Sequence, residues 1–391
     1  MPVTGHKSFT GVGRHCERLA GRTREGISPA LISGDILNVN RTLRNVALLS
    51  AAGLSLAGSA SAFGAATGSG ATFPAIAYQT WCSDSGACSY TGVGSGSGIK
   101  ALAAKTVDFA GSDVIMSDAQ VATFNGDKVT YIPTLYGAIS IPVHVSGVTG
   151  NKVKIDGSTL GDIFSGAITT WNDAKITKTN KGIKFPAAPI TVCVRSDASG
   201  TSGNFSNYLS KVSASYKAKV SSGGQNQTPA WTAPALQSAS GNAGVANCVN
   251  SNDNAIGYVD LGDAIRAGLQ TNVIAVGQNR VVKGKGRVMQ YVLPSTKTIQ
   301  LGGTPTAGQN AKINAGDLKV DLTASPNSGA YPITTTTFVL VRAGLPNNGA
   351  VANTLSYFLG KPAQSKLESL GFVALSGQLR TGANKALATL G

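Results

Sequence analysis

Along most of the chain, short apolar runs alternate with stretches in which apolar residues recur every three or four positions. A continuous apolar run suits a buried strand, and a period near 3.6 suits a helix with one buried face. The runs at 107–110, 190–194, 255–259 and 336–341 read as strands. Segment 73–81 reads as a helix with Pro74 in its first turn, where a missing N–H does no harm. Helices are also expected at 97–104, 160–164, 353–359 and 363–370. Another is expected at 203–216, where Phe205, Tyr208, Leu209 and Val212 fall on one face. The apolar stretch 129–145 contains Pro133 and Pro142 and is expected to form two extended segments. Ser, Gly and Gln crowd 220–240, which reads as loop, and 265–325 reads as irregular surface β structure. No internal repeat is visible. Strands alternating with helices predict α/β architecture, and 391 residues exceed one small core, so two lobes are expected.

The first 62 residues do not share this pattern. Residues 46–56 form a short apolar run, Arg41 and Arg44 precede it, and Ala60-Ser61-Ala62 follows it. Basic flank, apolar centre and small-x-small site together read as a secretory signal cleaved after Ala62, the alternative being a buried N-terminal helix. The run is too short to remain as a membrane span. Ser59 stands where a lipid-attachment cysteine would, so a soluble periplasmic or secreted protein without a lipid anchor is expected. Residues 1–38 add nothing that such a signal needs, and translation is expected to begin near Val39 at a non-Met start codon, the alternative being a genuinely long leader.

Beyond residue 62 the chain keeps Cys82, Cys88, Cys193 and Cys248, an even number that fits an oxidising compartment. Four cysteines allow three pairings. Nearness in sequence favours Cys82–Cys88 and leaves Cys193–Cys248. Metal binding is the alternative, but there is no Cys-x-x-Cys pair, and His144 is the sole histidine past the leader. The net charge is +15; residues 1–62 hold seven Lys/Arg and three Asp/Glu, so the remainder carries +11. A basic surface attracts anions. Aromatic residues make up only 6%, and the one tight basic cluster is Lys283, Lys285 and Arg287, so a nucleic-acid partner is not expected.

Three turns combine glycine with a hydroxyl residue just before a helix: Gly70-Ala71-Thr72-Phe73, Gly94-Ser95-Gly96-Ser97-Gly98 and Ser199-Gly200-Thr201-Ser202. A helix start offers free N–H groups and the positive end of the helix dipole, and glycine lets an anion reach the backbone. Each turn alone is an ordinary helix cap. Together with Arg195, placed directly after a strand, they suggest an oxyanion site, because a guanidinium grips a tetrahedral oxyanion through two parallel bonds. Asp197 stands two residues on and could hold that arginine in place.

Read together, Gly68–Pro74, Gly92–Ser95, Val107–Asp113, Trp171–Asp173, Arg195–Thr201, Ala255–Tyr258 and Tyr331–Ile333 resemble the phosphate-specific substrate-binding proteins of bacterial ABC transporters. The resemblance covers nearly all of the chain past the leader. It implies a type II periplasmic-binding fold, in which two α/β lobes joined by two crossover strands close on one inorganic phosphate. On that pattern one lobe comprises residues 63–139 and 337–391 and the other 140–336. The crossings lie near 136–141 and 333–338. The resemblance implies phosphate ligands at Thr72, Phe73 (through its amide), Ser95, Asp113, Arg195, Ser199, Gly200 and Thr201, with Asp197 as the partner of Arg195. It also implies a monomer that serves an ABC permease complex in the inner membrane, with no cofactor and no resident metal. A secreted or surface phosphate binder outside transport is the alternative. The chain departs from the family pattern between Trp81 and Tyr90, at Gly96, and over 265–325.

Enzyme chemistry lacks its parts. There is no Gly-x-Ser-x-Gly and no Gly-x-x-x-x-Gly-Lys-Ser/Thr, and past the leader only His144 and Glu368 represent their residue types. The expectation is binding without catalysis.

Overall fold

A computed structural model describes residues 64–282 and 284–390. The cleavage site, the absent lipid anchor and the start near Val39 fall outside the described residues. In chain order the strands are β1 (Ala66–Gly70), β2 (Cys88–Gly92), β3 (Phe109–Ser112), β4 (Val129–Ser140), β5 (Val143–His144), β6 (Lys154–Asp156) and β7 (Thr191–Arg195). There follow β8 (Leu236–Ala239), β9 (Ala255–Ile256), β10 (Val259–Asp260), β11 (Ala275–Val282), β12 (Gly286–Val292), β13 (Thr334–Arg342) and β14 (Val373–Ala374). The expected α/β alternation is present.

The first sheet runs β2-β1-β3-β13-β4-β10, with β14 also on β4. Its N-terminal strands β1, β2 and β3 are parallel and linked by helices, whereas β13 joins them antiparallel. The second sheet runs β5-β9-β7-β8, and β6, β11 and β12 form a third. The chain leaves the first sheet at the end of β4, touches its edge again as β10 beside β4, and re-enters its interior at β13. The two crossings touch: the Ile139 amide donates to the Ile333 carbonyl (2.9 Å), and the Tyr331 hydroxyl donates to the Ile139 carbonyl (2.9 Å).

Aromatic side chains anchor each side. Tyr78, Trp81, Tyr90, Phe109 and Phe358 pack together beneath the first sheet, with centroids 4.9–6.4 Å apart. Phe164, Phe205, Trp231 and Tyr258 do so beside the second. Such rings bury large areas and gain further from tilted contacts.

Several elements differ from the sequence reading. Pro133 does not interrupt the 129–145 stretch: β4 runs through it, and only the 141–142 step divides it from β5. Pro133 lies at a register shift where Thr337 pairs Leu135 but Phe338 pairs Pro133, leaving Thr134 extra. A bulge needs one residue fewer in the ladder, so a residue without N–H is tolerated there. The expected helix 203–216 is two helices, Gly200–Val212 and Ala214–Lys219, divided where Ser213 leaves helical geometry and caps the second by accepting from Tyr216 N. The first of these is buried on every side from Gly200 to Ser210 rather than amphipathic. The expected helix 97–104 is Ser95–Ala103, and strand 107–110 is shifted to 109–112. Region 265–325 holds the β11–β12 hairpin but also helices Thr296–Gly302 and Ala307–Asn314, each started by a capping box. Near the C-terminus the chain forms Asn348–Phe358, short turns at Lys361–Gln364 and Glu368–Leu370, and an unforeseen helix Gly377–Leu387.

Cys82 bonds Cys88, and Cys193 at the heart of the second sheet bonds Cys248 on helix Gly241–Ser251. The bridges span separations of 6 and 55 residues. Constraining the longer loop removes more disorder from the unfolded chain: about 4 kcal/mol against about 2 kcal/mol by loop length alone. Denaturant unfolding of Cys193→Ala/Cys248→Ala and Cys82→Ala/Cys88→Ala proteins should therefore show the larger loss for the 193–248 pair.

Candidate functional site

The residues singled out from the sequence stand at the C-terminal ends of strands, where open α/β sheets place their ligands. After β1 the chain turns through Ala71, Thr72 and Phe73 into helix Ala75–Ser85. After β2 it turns at Gly94 into helix Ser95–Ala103, and after β3 it reaches Asp113. In the second sheet β7 ends on Arg195, and Ser199 caps helix Gly200–Val212 by accepting from the Ser202 amide.

These ends face one another closely. Gly94 has φ +91°, and a Cβ there would lie 2.4 Å from Asp197 Oδ2. Only glycine lets the two loops meet, and the Gly96 amide donates to the Ala198 carbonyl across the gap (3.0 Å). A Cβ on Gly200 would lie 2.4 Å from Ser95 Oγ and 2.6 Å from Asp113 Oδ2.

Asp113 is buried. Its Oδ1 accepts from the Thr337 hydroxyl (2.7 Å), its amide donates to Ser95 Oγ (3.3 Å), and its Oδ2 has no partner among the described residues. Burial pushes its carboxyl up to about 7, against the opposing pull of the Thr337 hydrogen bond, of Arg195 and of Ser95. Thr72 Oγ1 is likewise buried without a partner. The amides of Thr72, Phe73, Ser95, Gly200 and Thr201 have no acceptor among the described residues. The Phe73 ring turns away into the core against Phe372, leaving its amide as the group on the cleft side.

Arg195 is buried and held on two sides. Its Nε donates to Asp197 Oδ1 (2.7 Å) and its Nη2 to Asp197 Oδ2, while Nη1 donates to Asn242 Oδ1 (2.7 Å). Burial opposes the charge on Asp197, but the hydrogen bonds and attraction from Arg195 outweigh it and hold that carboxyl below its usual range. Of the five guanidinium N–H bonds, three are used by these contacts and two stay free. Asn242 Nδ2 reaches both Thr201 Oγ1 (3.2 Å) and Asp260 Oδ2 (2.9 Å), so one amide orients the arginine and the threonine together.

Asn242 and Thr337 escaped the sequence reading. Asn242 follows Ser240-Gly241 at the start of helix Gly241–Ser251, which is a fourth turn of the same glycine–hydroxyl kind and the signal that could have revealed it. Thr337 ends a run of four threonines in β13 and carried no such signal. A pocket of about 370 Å³ adjoins the site, lined in part by Thr72, Gly92, Asp197, Gly241 and Asn242. A larger groove of about 660 Å³ lies elsewhere, between Tyr131, Ile313 and Lys385, and none of these converging donors lines it. Among the described residues no cluster of three His, Cys, Asp or Glu could hold a metal, and no helix is long and apolar enough to cross a membrane.

Two sheet systems, two crossings and a facing set of donors at strand ends define a two-lobed solute-binding protein. In agreement, a family model described as a PBP superfamily domain matches residues 56–361. The chain is 32% identical over 297 residues to the phosphate-binding protein PstS of Xylella fastidiosa strain 9a5c, covering 75% of this chain and 76% of that one. It is 33% identical over 280 residues to PstS of Pasteurella multocida, covering 70% and 75%. The chain belongs to the PstS family. Its fold is the type II periplasmic-binding fold, shared with solved structures that each cover 82% of this chain and are themselves covered to 93%. One is the high-affinity periplasmic phosphate-binding protein PfluDING bound with phosphate (23% identity, TM-score 0.60). Another is a phosphate-binding protein from Stenotrophomonas maltophilia (22% identity, TM-score 0.61).

The buried carboxyl makes a testable mark on stability. Asp113 binds its proton more tightly folded, at about 7, than unfolded, at about 4. Stability is therefore undiminished below about pH 4, declines as pH rises from about 4 to about 7, and stays lowered above that. Asp260 is pushed upward as well, by burial and by Asp263, so the Asp113 share is read as a difference between proteins. Melting midpoints of the ligand-free protein and of Asp113→Asn, measured from pH 4 to 8, should diverge as the pH rises, with the variant gaining relative stability.

Proposed function

We propose that this protein binds one inorganic phosphate between its two lobes and hands it to an ABC permease, performing no chemistry on it. The observation that carries the reading is Asp113 Oδ2, a buried acceptor without a partner in a cleft otherwise made of donors. Phosphate near neutral pH offers oxygens for the donors and still carries a proton for that one acceptor. The donors are the Thr72 and Ser95 hydroxyls, the amides of Thr72 and Phe73, the two free N–H bonds of Arg195, and the groups of Ser199, Gly200 and Thr201. Residues 63–139 and 337–391 form one lobe and 140–336 the other, hinged where β4 ends and β13 begins. Phosphate stabilises the closed state because only that state offers both halves of the site.

Selectivity follows from the same atom. Sulfate has no proton to give at neutral pH, so it would leave the ionised form of Asp113 as a buried carboxylate facing an anion, at a cost of several kcal/mol, and could be held only with Asp113 itself protonated. Arsenate protonates as phosphate does and should bind. The absence of chemistry fits a site in which Asp113 is a proton acceptor for the ligand, Asp197 a partner for Arg195 and Asp260 a partner for Asn242. Export to the periplasm is supported by the basic, apolar and small-residue pattern of residues 41–62 and by the two disulfides.

The test is calorimetric titration of ligand-free protein with phosphate, arsenate and sulfate at neutral pH. One-site binding of phosphate and arsenate with sulfate silent is the expected result; a folded, ligand-free sample that binds no phosphate would overturn the reading. Two variants sharpen it. Gly200→Ala puts a methyl group against Ser95 and Asp113 and should weaken phosphate by roughly 10- to 100-fold, as overpacking by a methyl group commonly costs about 1–3 kcal/mol. Asp113→Asn should narrow the gap between phosphate and sulfate, because an amide has no charge to repel the latter.

A further inference from the structure

Next to the site lies a second set of cross-cleft bonds, made to backbone groups and to none of the proposed ligand side chains. Asn204 is buried on helix Gly200–Val212, and its Nδ2 donates to the backbone carbonyl of Asp113 (2.6 Å) and to that of Gly200 (3.3 Å). Its Oδ1 accepts from Gln225 Nε2 (2.7 Å), and Gln225 Oε1 accepts from the Ile115 amide (2.9 Å). Two side-chain amides thus grip backbone 113–115 from both ends. The orientation of each is forced: the Ile115 N–H needs an acceptor, which turns Gln225 Nε2 toward Asn204 and leaves Asn204 Nδ2 for the carbonyls. Gly203 lets the parts meet, since a Cβ there would lie 2.7 Å from Val114 Cγ1 and 3.2 Å from the Gln225 carbonyl. The same loop adds Gln227, whose Nε2 donates to Gln120 (3.1 Å) and whose carbonyl accepts from the Ser199 amide (3.0 Å).

We infer that Asn204 and Gln225 are positioning residues that fix Asp113 in the closed cleft and thereby set how long phosphate remains bound. The inference rests on the phosphate reading above. It follows from where the bonds lie. Asp113 and Ile115 follow β3 in the first sheet, whereas Asn204 and Gln225 belong to the segment around the second. The bonds between the two sets therefore form when the lobes close and break when they open. They stabilise the closed state directly, and they fix the backbone that carries the Asp113 carboxyl. Loss of the pair should act on dissociation, because encounter with the open cleft does not involve them.

The experiment is stopped-flow measurement of phosphate release and capture for the full protein, for Gln225→Ala and for Asn204→Ala. Each net hydrogen bond is worth a few-fold in an equilibrium, so release should accelerate roughly tenfold for Gln225→Ala and more for Asn204→Ala, with capture nearly unchanged. Gln225→Glu keeps the acceptor for Ile115 but loses the donor to Asn204, and should fall between wild type and alanine. Gln225 is only half-buried, so its variants keep the test alive if Asn204→Ala misfolds. Melting of the ligand-free protein should not change for Gln225→Ala, whereas melting with phosphate should fall. Wild-type release rates in both alanine variants would overturn the inference, as would equal destabilisation of the ligand-free and ligand-bound forms. If the wild-type protein bound no phosphate, the functional reading would fail first. The inference, which needs a bound ligand, would fall with it, an outcome distinct from wild-type release rates in variants that do bind.

Discussion

A carboxylate buried with one oxygen unsatisfied is the constraint around which this cleft is arranged. Taking Asp113 out of water favours its neutral form, and the fold supplies only one direct side-chain donor to it, the hydroxyl of Thr337. A single donor leaves the group short of what a buried charge needs. In the proposed reading that shortfall makes the group useful, since a ligand bearing a proton would relieve it and a ligand without one would aggravate it. The surrounding sequence is shaped to keep the oxygen both dry and reachable. Gly200 has no side chain to cover it, and the pairing of β13 with β3, which sets Phe338 opposite Ser112, brings Thr337 to its other oxygen.

The remaining parts of the site come from topology. Parallel strands with helical crossovers put successive helix starts at one edge of a sheet, and those starts carry amides that their own helices cannot use. Two such edges face each other here, one from β1, β2 and β3 and one from β7, and the short β4 and β13 crossings let them meet. Close approach then demands glycine at the touching points. This explains why Gly94 and Gly200 sit where any Cβ would strike the opposite lobe, and why a helix as buried as Gly200–Val212 begins with three small residues.

The site was largely legible in the sequence because its chemistry is local. Glycine–hydroxyl turns and Arg195-Ser-Asp197 are contiguous words whose meaning depends on the residues beside them. What stayed hidden depended on distant partners. Pro133 reads as a break until β13 is placed beside it with one residue fewer, and Thr337 is one of four like residues until the register is known. Asn242 was within reach, since Ser240-Gly241 repeats the pattern of the other turns. Helix Gly377–Leu387 was not: its buried stripe is Leu379, Gly382 and Ala383, too small to stand out by hydropathy. In region 265–325 the capping boxes at Ser295 and Thr306 were present in sequence, but polar composition masked the helices they begin.

The electrostatics argue for a site built on selectivity more than on attraction. Among the described residues Arg195 is the single cation bonded to the site's own residues, and Asp197 neutralises it through two bonds. Asp113 adds, if anything, negative charge. An anion entering this cleft therefore meets little net positive charge and must be held by oriented N–H and O–H dipoles. Those dipoles are already aimed by the fold, because Asn242 fixes Arg195 and Thr201 together while Asp260 fixes Asn242. Preorganised dipoles in a dry site can be strong without being indiscriminate, since their geometry suits one shape and the lone acceptor admits only a protonated form. The basic charge of residues 63–391, spread rather than clustered along the sequence, is free to raise the rate of anion encounter while leaving the choice among anions to the interior.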